Sequence, residues 1–407
     1  MPIKRQLKRQ LKRQLDGPTL IGVLAVVVTA CGDSTSPRGI HETAATSIAA
    51  GDVSTCALNS SGAAYCWGQD SLGQLGIGQH PGPLQATPVP VGGGHTFASL
   101  VGGGELMCAL TASGQPWCWG GEIFLPPTAF HDSLPTLIGG SVSFVNISSG
   151  PFHTCGLTSS GDAYCWGQNS FGQLGTGDTL TRAMPTPVIA RGSIKWSAIS
   201  VGFWHTCALT TDGTPYCWGY TLLGALGNPA VDTVNKQLTP LAVAGGLKLA
   251  SISAGAVYTC AVTSLAAAYC WGNNAIGQLG DGTDTTRDAP VPVSLPSGVA
   301  FTTIAVSRAN DIFATTCGLT SSGAAYCWGA GGSGQLGNAS TQKSLVPVPV
   351  SGGLTFAALA IGNVHVCGVT TAGAVDCWGG NTFGQLGTGD TIATSVPTPV
   401  AGGFRAP

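Results

Sequence analysis

Charge is what this chain has least of: Asp, Glu, Lys and Arg make up 8% of its 407 residues, against 43% hydrophobic residues. That balance excludes intrinsic disorder, because disordered chains lack apolar material to bury and carry excess charge. Catalytic signatures are also missing. There is no HExxH, no GxSxG elbow, no P-loop and no βαβ dinucleotide fingerprint, so metallopeptidase, serine hydrolase and nucleotide chemistry have no residues to rest on. Glycine and proline, by contrast, are plentiful at 62 and 25 residues. An apolar chain so rich in turn formers reads as a folded β-type protein. The cysteine count is 15, and an odd number needs an explanation.

The amino terminus repeats Lys-Arg-Gln-Leu three times over residues 4–15, and a charge-free apolar run from Thr19 to Ala30 follows. At about 12 residues that run is too short to cross a ~30 Å hydrocarbon core as a helix, and it fits the apolar region of a secretory signal peptide. It ends Val28-Thr29-Ala30-Cys31-Gly32. This resembles the lipobox of bacterial lipoproteins, which implies cleavage before Cys31 and a lipid on its thiol. An ordinary signal peptide with an incidental cysteine is the alternative. Residues 1–30 are therefore expected to be a targeting segment, and 31–45 a linker behind a lipidated Cys31. Removing the first 30 residues leaves ten basic and 17 acidic side chains, a net charge of −7. Nucleic-acid binding needs clustered Lys and Arg, and the remainder has no such run.

Internal repetition dominates the rest. Cys-Trp-Gly recurs with Trp at 67, 119, 166, 218, 271, 328 and 378, at intervals of 47 to 57 residues. Seven units fill residues 46–401. The typical unit contains a Pro-Val segment, an apolar segment, and two Cys-bearing segments joined by a tight turn, Ser-Ser-Gly or Thr-Asp-Gly in four of the seven, in which glycine supplies a positive φ. Four short strands per unit, repeated radially, predict an all-β, seven-bladed β-propeller of four-stranded antiparallel blades. With each blade taken to begin at its Pro-Val strand, Val396–Val400 is left over. The ring is then expected to close by that carboxyl-terminal strand joining the first blade, which removes an exposed sheet edge.

The phrase WGxNxxGQLGxG, at Trp166–Gly177, Trp271–Gly282 and Trp378–Gly389, resembles the repeat of the regulator of chromosome condensation family. That resemblance implies a seven-bladed propeller over nearly all of the mature chain, and by analogy guanine nucleotide exchange on a GTPase. Two units depart from the Gly-Gln-Leu-Gly core of the phrase. The second has Gly-Gly-Glu-Ile-Phe-Leu-Pro-Pro at 120–127, and the fourth has Gly-Ala-Leu-Gly at 224–227.

Apart from Cys31 the cysteines fall into seven pairs: Cys56 and Cys66, Cys108 and Cys118, Cys155 and Cys165, Cys207 and Cys217, Cys260 and Cys270, Cys317 and Cys327, and Cys367 and Cys377. The spacing is ten residues in every unit. Across a hairpin centred on the glycine turn, i and i+10 stand opposite each other with Cα atoms about 4.5–5.5 Å apart, which suits a disulfide. One bridge per blade is predicted. Reduced core cysteines are the alternative, and export to an oxidising compartment distinguishes the two.

His153, His205 and His365 each precede the first Cys of a unit by two residues. Being in phase with the repeat, they are expected to make a repeated structural hydrogen bond, with a three-blade metal site as the alternative. Asp178, Asp281 and Asp390 follow the Gly-Gln-Leu-Gly phrase and suit a turn, with calcium ligation as the alternative. The seven repeated Trp are expected to pack between blades. No cofactor, metal or catalytic residue is expected. What differs between units lies on the loop face: Phe152, Phe203 and Trp204, Tyr258, Ile312 and Phe313, and Phe124, Phe130 and His131 in the long second-unit loop. Aromatic side chains on adjacent loops suit protein recognition, since they bring large contact area with few rotors to freeze. The expected protein is a non-enzymatic, monomeric propeller held at the bacterial cell envelope by a lipid. Its expected ligand is an extracytoplasmic protein, with inhibition of a secreted enzyme as one specific form.

Overall fold

A computed structural model describes residues 44–123, 130–190, 192, 194–230, 235–308, 311–402 and 404. The targeting segment and Cys31 lie outside the described residues, as does Phe124. The described chain forms seven four-stranded antiparallel sheets. Helix is confined to three short turns of 3-10 geometry at Gly92–Gly94, Leu222–Gly224 and Asp311–Phe313.

Blade 1 consists of β1 (Ala45–Ala50), β2 (Ser54–Asn59), β3 (Ala64–Gly68) and β4 (Gln85–Pro90), paired in that order. Blades 2 to 7 repeat the pattern over 99–137, 146–187, 196–242, 249–292, 301–349 and 356–399. The first strand of every blade pairs on one side only and lines the central channel. The second is buried along all of its length in blade 1 and all but one end residue in blades 2, 4, 5 and 6, because blades pack against both of its faces. That is why it reads Ser-Thr-Cys-Ala-Leu-Asn, small or apolar residues without the alternation of a half-exposed strand.

The blades begin one strand later than the sequence indicates. The Pro-Val strand closes its own repeat from outside, with Tyr65 opposite Pro90 and Cys66 opposite Val89. Likewise Thr394–Pro399 pairs with Val375–Gly379 and completes blade 7, so no strand joins blade 1 from the carboxyl end. Proline explains the placement, since a residue without an N–H is tolerated on an outer edge that donates to no further strand. The 16 residues after Gly68 fold back onto their own sheet, and the eight after Pro90 make the step to the next one.

Closure is achieved by blade packing. The Ala45 N–H donates to Gly373 O at 2.8 Å and the Gly389 N–H to Ala86 O at 2.8 Å across the junction of blades 7 and 1. Trp67, Ile48, Val369, Leu386 and Val400 share one buried cluster there.

The paired cysteines stand opposite each other in all seven hairpins. Cys56 faces Cys66 in blade 1, Cys108 faces Cys118 in blade 2, and Cys155 faces Cys165 in blade 3. In blades 4 to 7 the partners are Cys207 and Cys217, Cys260 and Cys270, Cys317 and Cys327, and Cys367 and Cys377. Their sulfur atoms are at bonding distance, from 2.04 Å in the first pair to 2.15 Å in the fifth. The Cα atoms are 4.0 Å apart between Cys56 and Cys66 and 4.1 Å apart in the other six pairs, closer than the spacing of an unlinked ladder.

Candidate recognition face

The repeat phrase is explained at the junctions between blades. In blade 3 the main-chain O of Gln173 accepts the Trp218 indole N–H of blade 4 at 2.9 Å and the Thr206 hydroxyl at 2.8 Å. Because Thr206 Oγ1 gives its proton to that carbonyl, it accepts from His153 Nε2 at 2.7 Å, which fixes the proton of His153 on Nε2. His205 with Thr259 and His365 with Thr55 repeat the bond, each at 2.9 Å. Burial holds the three imidazoles neutral, with pKa values of about 3 for His153 and His365 and about 4 for His205. They therefore serve as neutral donors on separate junctions, as the sequence indicates. The junction itself uses the carbonyl of the Gln position, so Ala225 can stand there and accepts from Trp271 at 3.0 Å; the Gln side chain serves its own turn, as where Gln173 Oε1 accepts the Phe171 N–H at 2.9 Å.

Tyr258 occupies the histidine position in blade 5. It is fully buried, its hydroxyl donates to Thr315 O at 3.0 Å, and Thr316 Oγ1 lies 3.2 Å away. The sequence reading that put Tyr258 on the loop face is thus corrected: it substitutes for His between blades 5 and 6. The three aspartates close turns. Asn169 Nδ2 donates to Asp178 Oδ1 at 3.1 Å, Asn381 Nδ2 to Asp390 Oδ1 at 3.1 Å, and Asn274 Nδ2 to Asp281 Oδ1 at 3.0 Å. Arg182 and Arg287 pair with Asp178 and Asp281 at 2.5 and 2.7 Å. Among the described residues no group of three His, Cys, Asp or Glu side chains is placed to hold a metal ion.

The loops before the first cysteine and after Cys-Trp-Gly share one face, since both connect the same ends of neighbouring strands. On blades 3 and 4 this face carries a continuous aromatic cluster. Phe152 and Phe203 stand edge to face at 4.9 Å between ring centroids, and Phe203 meets Trp204 at 4.8 Å. Trp204 in turn touches Phe171 at 5.4 Å and Tyr220 at 5.2 Å, and Phe171 and Tyr220 are 5.0 Å apart. All five rings are half-buried. Leu222 and Leu223, which follow Tyr220, are 39% and 45% exposed. The sequence thus identified three members of the cluster and missed Phe171 and Tyr220. Phe171 was hidden by its phase, because Ile276 and Phe383 hold the same place before Gly-Gln-Leu-Gly.

The remaining candidates are dispersed. Phe313 is half-buried and Ile312 is 63% exposed, both on blade 6. Phe130 lies in the outer strand Phe130–Leu137 of blade 2. Opposite in character to the aromatic cluster is the face at blades 1 and 2. There the Asp52 N–H donates to Gly104 O at 2.7 Å, and Gln74 Nε2 donates to Glu105 Oε2 at 2.8 Å. Burial, and then the charge of Glu105, pushes the Asp52 carboxyl up to about 7.

Comparison with known proteins decides the family. The RCC1-like domain matches residues 28–318, and the Regulator of chromosome condensation (RCC1) repeat matches 322–369 and 372–405. The chain belongs to the RCC1-like family. The Ultraviolet-B receptor UVR8 of Arabidopsis thaliana is 30% identical over 321 residues, covering 74% of this chain and 69% of that protein. The RCC1 domain-containing protein RUG3 of the same plant, a mitochondrial protein, is 32% identical over 329 residues, covering 75% of this chain and 61% of its own. Among solved structures, Prp20p of Saccharomyces cerevisiae superposes with a TM-score of 0.73 at 20% identity, over 89% of this chain and 87% of that one. Human WBSCR16 gives 0.72 at 17% identity, over 81% and 88%. These two share the RCC1-like fold.

Proposed function

We propose that this RCC1-like chain is a non-enzymatic binding protein of the bacterial cell envelope, anchored through a lipid on Cys31. In this reading it grips an extracytoplasmic protein with the loop face of blades 3 and 4. The observation that carries this is the contiguous cluster of Phe152, Phe171, Phe203, Trp204 and Tyr220, in which four aromatics particular to blades 3 and 4 join the in-phase Phe171 and all five stay half-exposed. Half-buried aromatic anchors flanked by exposed leucines have the make-up of a binding hot spot. Seven cysteine pairs at bonding distance favour an oxidising compartment. The apolar run ending at Cys31 points the same way. Guanine nucleotide exchange, the reading the family name brings, needs a cytosolic GTPase and is disfavoured by those cysteines. Inhibition of a secreted enzyme is a particular form of the binding reading.

Affinity capture from the native cell envelope tests it, with the mature domain compared against Phe203→Ala/Trp204→Ala. Loss of the captured protein by the variant, with an unchanged near-ultraviolet spectrum outside the lost rings, is expected. Equal capture by both proteins would remove the aromatic face from consideration.

A further inference from the structure

The central channel holds a feature that neither the repeat nor the aromatic face accounts for. Seven small residues ring its loop-side mouth: Gly51, Gly103, Gly150, Gly202, Gly255, Ser307 and Gly362, one from each blade. Their neighbours are so close that a Cβ on Gly202 would stand 2.3 Å from Gly255 O. The residue after the ring position is Asp52 in blade 1, Phe203 in blade 4 and Asn363 in blade 7, and in blade 6 it is Arg308. Blade 6 also departs in length, with eight residues between its first two strands where blades 1, 4, 5 and 7 have three.

Arg308 reaches across the channel. Its Nη1 donates to Gly102 O of blade 2 at 3.1 Å, 206 residues away in sequence. Its Nε is enclosed and has no hydrogen-bond partner among the described residues. None of the ion pairs among those residues includes it. Burial lowers its pKa to about 10, so it stays a cation at neutral pH. A half-buried guanidinium with five donors, a neutral carbonyl acceptor and no counter-ion among the described residues is short of negative charge. Next to it lies a cavity of about 190 Å³ bounded by Ile48, Ala50, Leu100, Val306 and Ile361 as well as Arg308 itself.

We infer that Arg308 and this cavity form a binding site for a small carboxylate inside the channel. The planar fork of a guanidinium matches the two oxygens of a carboxylate. Leu100, Val306 and Ile361 border the space but are themselves buried between blades, so most of its wall is main-chain groups on the free edges of the channel-lining strands.

Isothermal titration of the purified mature protein with sodium propionate, at constant ionic strength in chloride, tests the site. Saturable binding at one site per chain is expected, weakened at least tenfold in Arg308→Gln and to a smaller degree in Arg308→Lys, which keeps the charge and loses the fork. Arg308→Lys also guards against a folding defect in Arg308→Gln, and its thermal melt in chloride should match wild type. Absence of saturable heat from the wild-type protein would leave Arg308 as a strut between blades 2 and 6 and overturn the site. Equal affinity in Arg308→Gln, or phosphate binding as well as propionate does, would overturn it too.

Discussion

Trp67 in the first blade donates its indole N–H to the main-chain oxygen of Gln385 in the seventh, 2.9 Å away and 318 residues distant in sequence. The same bond joins Trp218 to Gln173, Trp328 to Gln278 and Trp378 to Gln335. The junction that closes the ring is therefore built like those from blade 3 to blade 7, whereas the Trp119 indole N–H in blade 2 has no partner among the described residues.

Equivalent junctions should respond equally to the same lesion. Trp67→Phe keeps most of the buried ring and leaves the Gln385 carbonyl one donor short, which should cost about 1–3 kcal/mol. Trp271→Phe, in the middle of the chain, should cost the same within error. Urea midpoints at fixed slope measure both. A Trp67→Phe protein as stable as wild type would refute the equivalence.

Gly387 and Gly402 have nearly the same backbone angle, φ +69° and +68°, yet different surroundings. A Cβ on Gly387 would lie 2.8 Å from Trp67 Nε1, and one on Gly402 would meet nothing within 4 Å. Gly402→Ala should show left-handed strain alone, about 1–2 kcal/mol. Gly387→Ala should add about 1–3 kcal/mol for displacing a packed indole. Chemical denaturation of the two variants gives the difference directly, and equal losses would show that the close approach to Trp67 is unimportant.

His205 keeps its neutral form down to about pH 4 in the folded protein, while an unfolded histidine protonates near 6.5. Between those values the unfolded state binds the extra proton, so stability falls as pH falls through this window, by about 1.4 kcal/mol per unit for one residue. The contribution is fully present above pH 6.5. Asp52, whose folded pKa is about 7, acts in the opposite direction between its folded and unfolded values. The informative quantity is therefore the difference between wild type and His205→Gln. Wild type should lead at pH 7.5, and the lead should shrink once pH falls below about 6.5 towards pH 5. A constant gap across that range would mean that His205 titrates normally.

The cysteine pairs should be oxidised in protein made in an oxidising compartment. Fourteen cysteines, all but Cys31, should resist alkylation until reduction, as read by mass spectrometry. Replacing one pair, as in Cys155→Ala/Cys165→Ala, should lower stability by about 2.7 kcal/mol, the chain-entropy value for an 11-residue loop. Fourteen reactive thiols would reject the bridges and weaken the case for export.

Much of the fold was legible because each hairpin is a local object. A glycine turn with cysteines ten apart leaves little choice of register, and Cys207 does stand opposite Cys217. The start of a blade was not legible, because a circular repeat reads the same from any strand; the pairing of Thr394–Pro399 with Val375–Gly379 resolved it. Tyr258 misled for a related reason. It looked like a loop aromatic, although its place two residues before Cys260 already matched that of the buried histidines. Arg308 left one trace, the 57-residue interval between Trp271 and Trp328, the longest of the six.

By itself the sequence determined what short-range geometry can settle: seven units, four strands each, paired cysteines, tight turns and in-phase histidines. Only the tertiary structure decided which rings touch on blades 3 and 4, and that Arg308 meets Gly102 across the channel. Contacts of that kind depend on the rotation from blade to blade summed around a closed ring. No single repeat carries that sum, so residues hundreds of positions apart become neighbours only once the ring is complete.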